Sequence, residues 1–229
     1  MQVTVLAHTV DPEQVVAMAA RLCYSPEGID SLRLSDAADD RQLIEKILNL
    51  GHYSVLEHAS FTIGIEGVSR ALSHQLVRHR IASFSQQSQR YVAFDGGFTY
   101  QIPPSIGGDE ALCQEYRETM AGLASFYGRL RQQGVPAEDA RFVLPNGADT
   151  RLVMTMNARE LRHFFRLRCC RRAQWEIRAL AVEILRQVRN ISPLLFRDAG
   201  PACLAGPCPE GALSCGEASV VRQEFDVLQ

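Results

Sequence analysis

Arg78-His79-Arg80-Ile81-Ala82-Ser83-Phe84-Ser85-Gln86-Gln87-Ser88-Gln89-Arg90-Tyr91 gathers three arginines, a histidine, three serines and three glutamines into one short stretch. Guanidinium groups fork onto phosphate oxygens, and hydroxyl and amide side chains donate or accept as a ligand requires. The interspersed apolar residues can anchor the segment to a core. An exposed charge run normally mixes both signs, yet no acid occurs between Glu66 and Asp95. The stretch reads as a surface for a ligand that carries phosphate and a nucleobase.

Working outward, Ser69 to His79 has helical spacing. Leu72 and Leu76 share one face, while Gln75, Arg78 and His79 stand at i, i+3 and i+4, so one turn is expected to present three polar groups to one ligand. Upstream, Gln2 to His8 and Phe61 to Ile65 alternate as strands. Asp11-Pro12-Glu13 starts a helix over Gln14 to Cys23. Ser35-Asp36 caps a second helix with the stripe Leu43, Ile44, Ile47 and Leu48, which Gly51 stops, leaving His52 to His58 as a loop or short turn. Downstream, Gly107-Gly108-Asp109 opens a long amphipathic helix to about Gln133, with Leu112, Tyr116, Met120, Leu123, Tyr127 and Leu130 assigned to the core. Pro136 to Asp139 starts another helix that ends near Pro145, Thr150 to Met156 reads as a strand, and two helices follow over about 158–170 and 173–189. These elements predict an α+β fold, a single domain with a mixed or antiparallel sheet and packed helices.

The chain has 229 residues and is 46% hydrophobic, enough for one core. It contains no apolar run able to cross a bilayer, and MQVTVLAHTV lacks the basic region and cleavage pattern of a secretory signal, so a cytoplasmic protein is expected. Seven cysteines, an odd number with Cys169 and Cys170 adjacent, suit reduced thiols. A net charge of −2 gives no reason to expect a nucleic acid or a membrane as partner. Between Arg159 and Arg189, however, nine arginines face three glutamates, a local excess that suits phosphates. Pro and Gly cluster after Ile191, which divides the chain into a domain over 1–198 and a Gly/Pro/Cys-rich tail over 199–229.

Arg-His-Arg, seven residues, then Ser88, with Arg90 two further on, resembles the signature of the flavin-dependent thymidylate synthases. Gly51-His52-Tyr53-Ser54-Val55-Leu56-Glu57-His58, Asn157-Ala158-Arg159-Glu160-Leu161 and Ala173-Gln174-Trp175-Glu176-Ile177-Arg178 extend the resemblance in the family's order over most of residues 1–198. The resemblance implies reductive methylation of dUMP to dTMP, with 5,10-methylenetetrahydrofolate as methylene donor and FAD, reduced by NADPH or NADH, as hydride source. It also implies a homotetramer with active sites at subunit interfaces, a flavin site that is not of the Rossmann type, and no cysteine attack on C6. The chain agrees in lacking Gly-x-Gly-x-x-Gly.

Uracil C5 becomes nucleophilic only if charge develops at its N3–O4 edge, and a cation fixed there is commonly worth ~3 kcal/mol. The resemblance assigns that catalytic role to Arg178. It assigns dUMP to Gln75, Arg78, Gln86, Gln87, Ser88, Gln89, Arg90, Arg151 and Arg178, and FAD to Ser54, Arg78, His79, Arg80, Gln86, Arg166, Arg168 and Arg172, with His52, Glu57 and His58 beside the flavin. Ser88 is not read as a nucleophile, because Gln-Ser-Gln is no Gly-x-Ser-x-Gly elbow. The sequence departs from the family pattern at Gln89 and at Arg166 and Arg171, where neutral or acidic groups are expected, and Gln86 cannot serve as a carboxylate base.

Cys203-x4-Cys208-x6-Cys215 stands outside the resemblance. Three thiolates could hold zinc with a fourth ligand from Cys23, Cys170 or a histidine. The Cys-x2-Cys knuckle is absent, so the expectation is no metal, with zinc as the alternative. A different function class, a nucleotide- or RNA-binding module using the arginine-rich face, would need stacking aromatics, for which Phe164, Phe165 and Trp175 are the candidates.

Overall fold

Residues 1–26, 28–32 and 36–228 are described by the computed structural model of the chain. The elements in order are β1 (Gln2–His8), α1 (Pro12–Leu22), α2 (Ile29–Leu32), α3 (Ala37–Asn49), a 3₁₀ turn at Tyr53–His58, β2 (Ser60–Ser69), α4 (Arg70–Leu76) and β3 (Ala82–Gln86). There follow α5 (Pro104–Gly107), α6 (Glu110–Gln132), α7 (Ala137–Ala140), β4 (Asp149–Asn157), α8 (Ala158–Arg168), α9 (Trp175–Ile191), α10 (Pro193–Phe196) and α11 (Ala218–Asp226). The four strands form an antiparallel sheet in the order β1-β2-β4-β3, as the α+β reading expects. No helix among the described residues is long and apolar enough to cross a membrane.

The chain forms two compact units interleaved in sequence. The first comprises 1–2, 65–78 and 84–153, and the second comprises 3–64, 79–83 and the chain from 154. In the second unit β2 alternates, with Phe61 and Ile63 fully buried. Its neighbours set the register: Ala158 N donates to Ala59 O at 2.7 Å, and the Thr62 and Thr155 hydroxyls meet at 2.9 Å. Phe61 meets Phe196 edge-on at 5.4 Å and Phe165 meets Phe196 at 6.0 Å, so α8 and α10 close over the sheet through aromatic contacts. The chain beyond residue 198 belongs to this unit. Cys203, Val221 and Phe225 are buried, and Arg189 donates to the carbonyls of Phe225 and Leu228.

In the first unit Tyr127 is fully buried and meets Phe94 edge-on at 6.2 Å. Helix α6 buries only Cys113, Met120 and Tyr127, at i, i+7 and i+14. That is a single narrow seam, so Leu112, assigned to the core from periodicity, is 44% exposed. Tyr116, Leu123 and Leu130 are half-buried.

The helix expected from Ser69 to His79 is also corrected. Ser69 is the cap, its hydroxyl accepting from Leu72 N at 3.0 Å, but α4 ends at Leu76. Arg78 and His79 lie beyond it, and His79 is buried at 5% exposure. Gln75, Arg78 and His79 therefore do not share one helical face; a tertiary demand on the imidazole, described below, overrides the local period. Asp36 caps α3 through Ala38 N, while Ser35 lies outside the described residues. Gly51, with φ 72°, ends α3 in the left-handed conformation that glycine permits.

Helix α8 depends on its cap, since the Asn157 side chain accepts from Glu160 N at 2.8 Å. Asn157→Ala is expected to cost ~1 kcal/mol, lowering the thermal midpoint by a few degrees, as measured by calorimetry at constant pH.

Candidate active site

Helix α8 has an apolar face, Leu161, Phe164 and Phe165, all fully buried, and an opposite face rich in Arg and His. Glu160 lies in its first turn and is itself 7% exposed. Its carboxylate stands 3.2 Å from Nδ1 of His79. On the other side of that ring, Nε of Arg168 lies 3.1 Å from Nε2. An arginine Nε–H can only donate, so Nε2 must accept, and the neutral imidazole must then carry its proton on Nδ1 and donate to Glu160. Burial, reinforced by Arg168 and then His163, holds the His79 pKa down at about 4. Burial pushes the Glu160 carboxyl up, with His163 opposing. Phe164 packs edge-on against the ring at 5.0 Å. The result is a buried line, Arg168 to His79 to Glu160, that fixes one guanidinium through a neutral ring.

His79, Glu160 and His163 also bring three ligand atoms within 4.8 Å of one another, and theirs is the only such group among the described residues. Both ring nitrogens of His79 are engaged, so the cluster is satisfied without an ion.

The arginine excess read between 159 and 189 is largely cancelled by acids distant in sequence. Arg159 pairs with Glu57 at 2.5 Å, Arg162 with Asp198 at 2.8 Å, and Arg186 with Glu183 at 2.6 Å. Acids of the tail take three more: Glu217 and Glu224 hold Arg171, Glu210 lies 3.5 Å from Arg172, and Glu224 lies 3.4 Å from Arg178. Arg189 is spent on backbone carbonyls. That leaves Arg166, exposed, and Arg168, which have no carboxylate partner among the described residues. Arg78 and Arg80 are likewise exposed and unpaired among the described residues. Arg178 is half-buried, and its Nε finds no partner among the described residues. Ser54 is exposed on the 3₁₀ turn.

The first unit holds a second group of candidates. Gln86 ends β3 and donates to the Thr150 hydroxyl at 3.0 Å, and Gln87 N donates to Arg151 O at 2.9 Å. These bonds bring Gln86, Gln87, Ser88 and Arg151 together on neighbouring strands. The Ser88 hydroxyl accepts from Arg90 N at 3.1 Å, tightening the turn, and no histidine reaches it among the described residues. Arg90 pairs with Glu138 at 2.5 Å and Arg151 with Glu66 at 3.5 Å. Both pairs are solvent-exposed, and exposed pairs are worth only ~0–1 kcal/mol, so a phosphate dianion able to take both guanidinium forks would displace the carboxylates. Gln75 and Gln89 are half-buried.

Residue type and spacing did not single out Glu160 and His163 as partners of His79. Glu160 stands in the Asn157-Ala158-Arg159-Glu160-Leu161 block, but its burial against His79 depends on tertiary packing. Cys169 is fully buried, and burial pushes its thiol up to about 12, which leaves no thiolate there.

The chain is similar to known proteins over almost all of its length. Residues 4–194 match the family model described as thymidylate synthase complementing protein. The chain is 61% identical over 227 residues to the flavin-dependent thymidylate synthase of Geobacter sulfurreducens, covering 98% of each chain. It is 45% identical over 243 residues to that of Clostridium tetani, covering 98% of this chain and 97% of the other. With that of Pyrococcus furiosus it shares 43% over 219 residues, 92% and 90% of the two chains.

The His79 pKa of about 4 sets the sign of a pH effect. Above its ordinary value near 6.5 the ring is neutral in both folded and unfolded chain and contributes no slope. As pH falls from 6.5 to 4 the unfolded chain takes up a proton that the folded ring refuses, so stability falls. Glu160, its pKa raised by burial, works in the opposite direction in the window above 4.5. The thermal midpoint of His79→Gln is therefore expected to fall less steeply than that of the unaltered protein between pH 6.5 and 4.5; equal slopes would show that His79 titrates normally.

Proposed function

The chain belongs to the thymidylate synthase complementing protein family, and from that membership we propose that it is a flavin-dependent thymidylate synthase that converts dUMP to dTMP. In this reading 5,10-methylenetetrahydrofolate donates the methylene group, NADPH or NADH is the reductant, and the active protein is a homotetramer whose sites are completed between subunits. When bound, FAD supplies the hydride that turns a methylene into a methyl group. In the second unit the exposed, unpaired Arg80 and Arg166 fit its diphosphate and its reduced anionic ring, and the absence of a Gly-x-Gly-x-x-Gly turn agrees with a site built from side chains rather than from a helix terminus.

The observation that carries the mechanism is Arg168, held at Nε by a buried neutral histidine with its terminal nitrogens free of any carboxylate among the described residues. A cation that stabilises charge developing at the N3–O4 edge of uracil must not already be neutralised. Arg168 meets that condition. Arg178, the arginine that the resemblance assigns to the edge, carries Glu224 on its guanidinium and must shed it first. We therefore place Arg168 at the charge-stabilising position and Arg178 as a second cation that becomes available when Glu224 moves. A protonated His79 would repel Arg168 and lose its acceptor, which is why a ring held neutral suits this task. Arg90 and Arg151, with the Ser88 turn between strands, grip the nucleotide phosphate, and Gln75, Gln86, Gln87 and Gln89 supply amides for sugar and base.

The alternative of an RNA-binding module does not hold. Phe164 and Phe165 are fully buried and cannot stack on bases, which leaves Trp175 as the single exposed aromatic of the three, and most of the arginine-rich face is paired with acids.

Anaerobic assay with dUMP, 5,10-methylenetetrahydrofolate, NADPH and FAD tests the proposal. dTMP is expected only when FAD is present, and Arg168→Ala should lower kcat about 10²–10³-fold, as loss of a charge-stabilising donor does. Arg178→Ala should cost less, and Arg90→Ala should raise KM for dUMP with a smaller effect on kcat. A larger loss from Arg178→Ala than from Arg168→Ala would return the role to Arg178; no FAD-dependent dTMP from the unaltered protein would refute the activity.

A further inference from the structure

Four of the seven cysteines meet at one cavity of the second unit. Cys170 follows the end of α8, and Cys203, Cys208 and Cys215 come from the loop that leads to α11; all four line the same cavity. Cys23, Cys113 and Cys169 do not. All are free thiols. We propose that Cys170, Cys203, Cys208 and Cys215 form a four-thiolate zinc site that staples the tail to the end of α8.

Three observations carry this. First, the fourth ligand that the spacing of the tail left open is supplied by Cys170, brought to the loop by tertiary packing. Second, the loop is pinned by side chains that are not cysteines. Arg222 donates to the carbonyls of Cys203 and Gly206, each at 2.9 Å, and Arg172 donates to Leu213 O at 2.5 Å. The loop is thus held at the carbonyls of Cys203, Gly206 and Leu213. Third, the surroundings suit anionic sulfur. Arg171 and Arg172 line the same cavity, and guanidinium groups beside sulfur favour thiolate over thiol, which leaves Arg166 and Arg168 for the ligands assigned above.

Four sulfurs on zinc at ~2.3 Å stand roughly 3.8 Å apart. Among the described residues only His79, Glu160 and His163 have three ligand atoms within 4.8 Å of one another, so the thiols stand wider than a bound ion would hold them and the loop from 203 to 215 closes on binding. Zinc, with no preference imposed by d electrons, accepts four thiolates from such an adjustable loop and releases their protons as it binds. The gain is structural. The tail carries Glu217 and Glu224, the partners of Arg171 and Arg178, so the staple sets where those acids sit.

The test is metal analysis of the full-length protein purified without chelator, together with titration of metal-free protein by Co²⁺. About one zinc per chain and a thiolate-to-cobalt charge-transfer band are expected. Both should be lost in Cys208→Ser and in Cys215→Ser, positions exposed enough to be replaced without opening the core, and kept in Cys23→Ser. Absence of zinc and of the cobalt band in the unaltered protein would overturn the site, as would retention of zinc in both serine variants. Iron with acid-labile sulfide in place of zinc would overturn the metal assignment.

Discussion

The hydrogen-bonded line from Arg168 through His79 to Glu160 is the constraint on which the second unit is arranged. Each member needs the others. Glu160 is buried in the first turn of α8 and would be costly there without a donor, and His79 must leave α4's helical path to supply it. The Nε–H of Arg168 in turn dictates the tautomer of the ring. The scaffold that holds this line is apolar. Phe61, Phe165 and Phe196 interlock, and the register of β2 on β4 carries the chain into the cap at Asn157. A neutral relay between an arginine and a carboxylate holds the guanidinium in place without adding a second positive charge beside it, which leaves the terminal nitrogens at full electrostatic strength.

Charge on this protein is decided by pairing rather than by number. The run from Arg159 to Arg189 has a large local excess in sequence, yet the fold answers it with Glu57, Asp198 and the tail acids Glu210, Glu217 and Glu224. The arginines left over are the informative ones. Arg166 and Arg168 on α8, with Arg78 and Arg80 in the Arg-His-Arg motif, are cations without carboxylates among the described residues. The tail thereby acts as an acidic counterpart to the basic helices, and a metal staple at its root would make that counterpart dependable.

Much of the fold was legible because local signals agreed with it. Asp109 caps α6, Gly51 closes α3, and β1 and β4 fall where alternation placed them. The failures have physical causes. Period alone carried α4 through to His79, since nothing local records that its ring is claimed by Glu160 and Arg168, both more than eighty residues away. Leu112 fits an amphipathic stripe but faces outward, because α6 is buried along only one seam. The motif arginines and amides could be found from residue type and order, whereas which arginine remains uncompensated required the positions of acids far along the chain, and Cys170 could be matched to the tail thiols only once they lined a common cavity.

The protonation state of His79 tests the central claim most directly. In protein labelled with ¹⁵N histidine, NMR titration should show His79 as a neutral ring at pH 6, protonated at Nδ1 and unprotonated at Nε2, taking up its second proton only near pH 4. A ring carrying both protons at pH 6, or one protonated at Nε2 alone, would contradict the line from Arg168 to Glu160 and with it the reason for placing Arg168 at the reacting base.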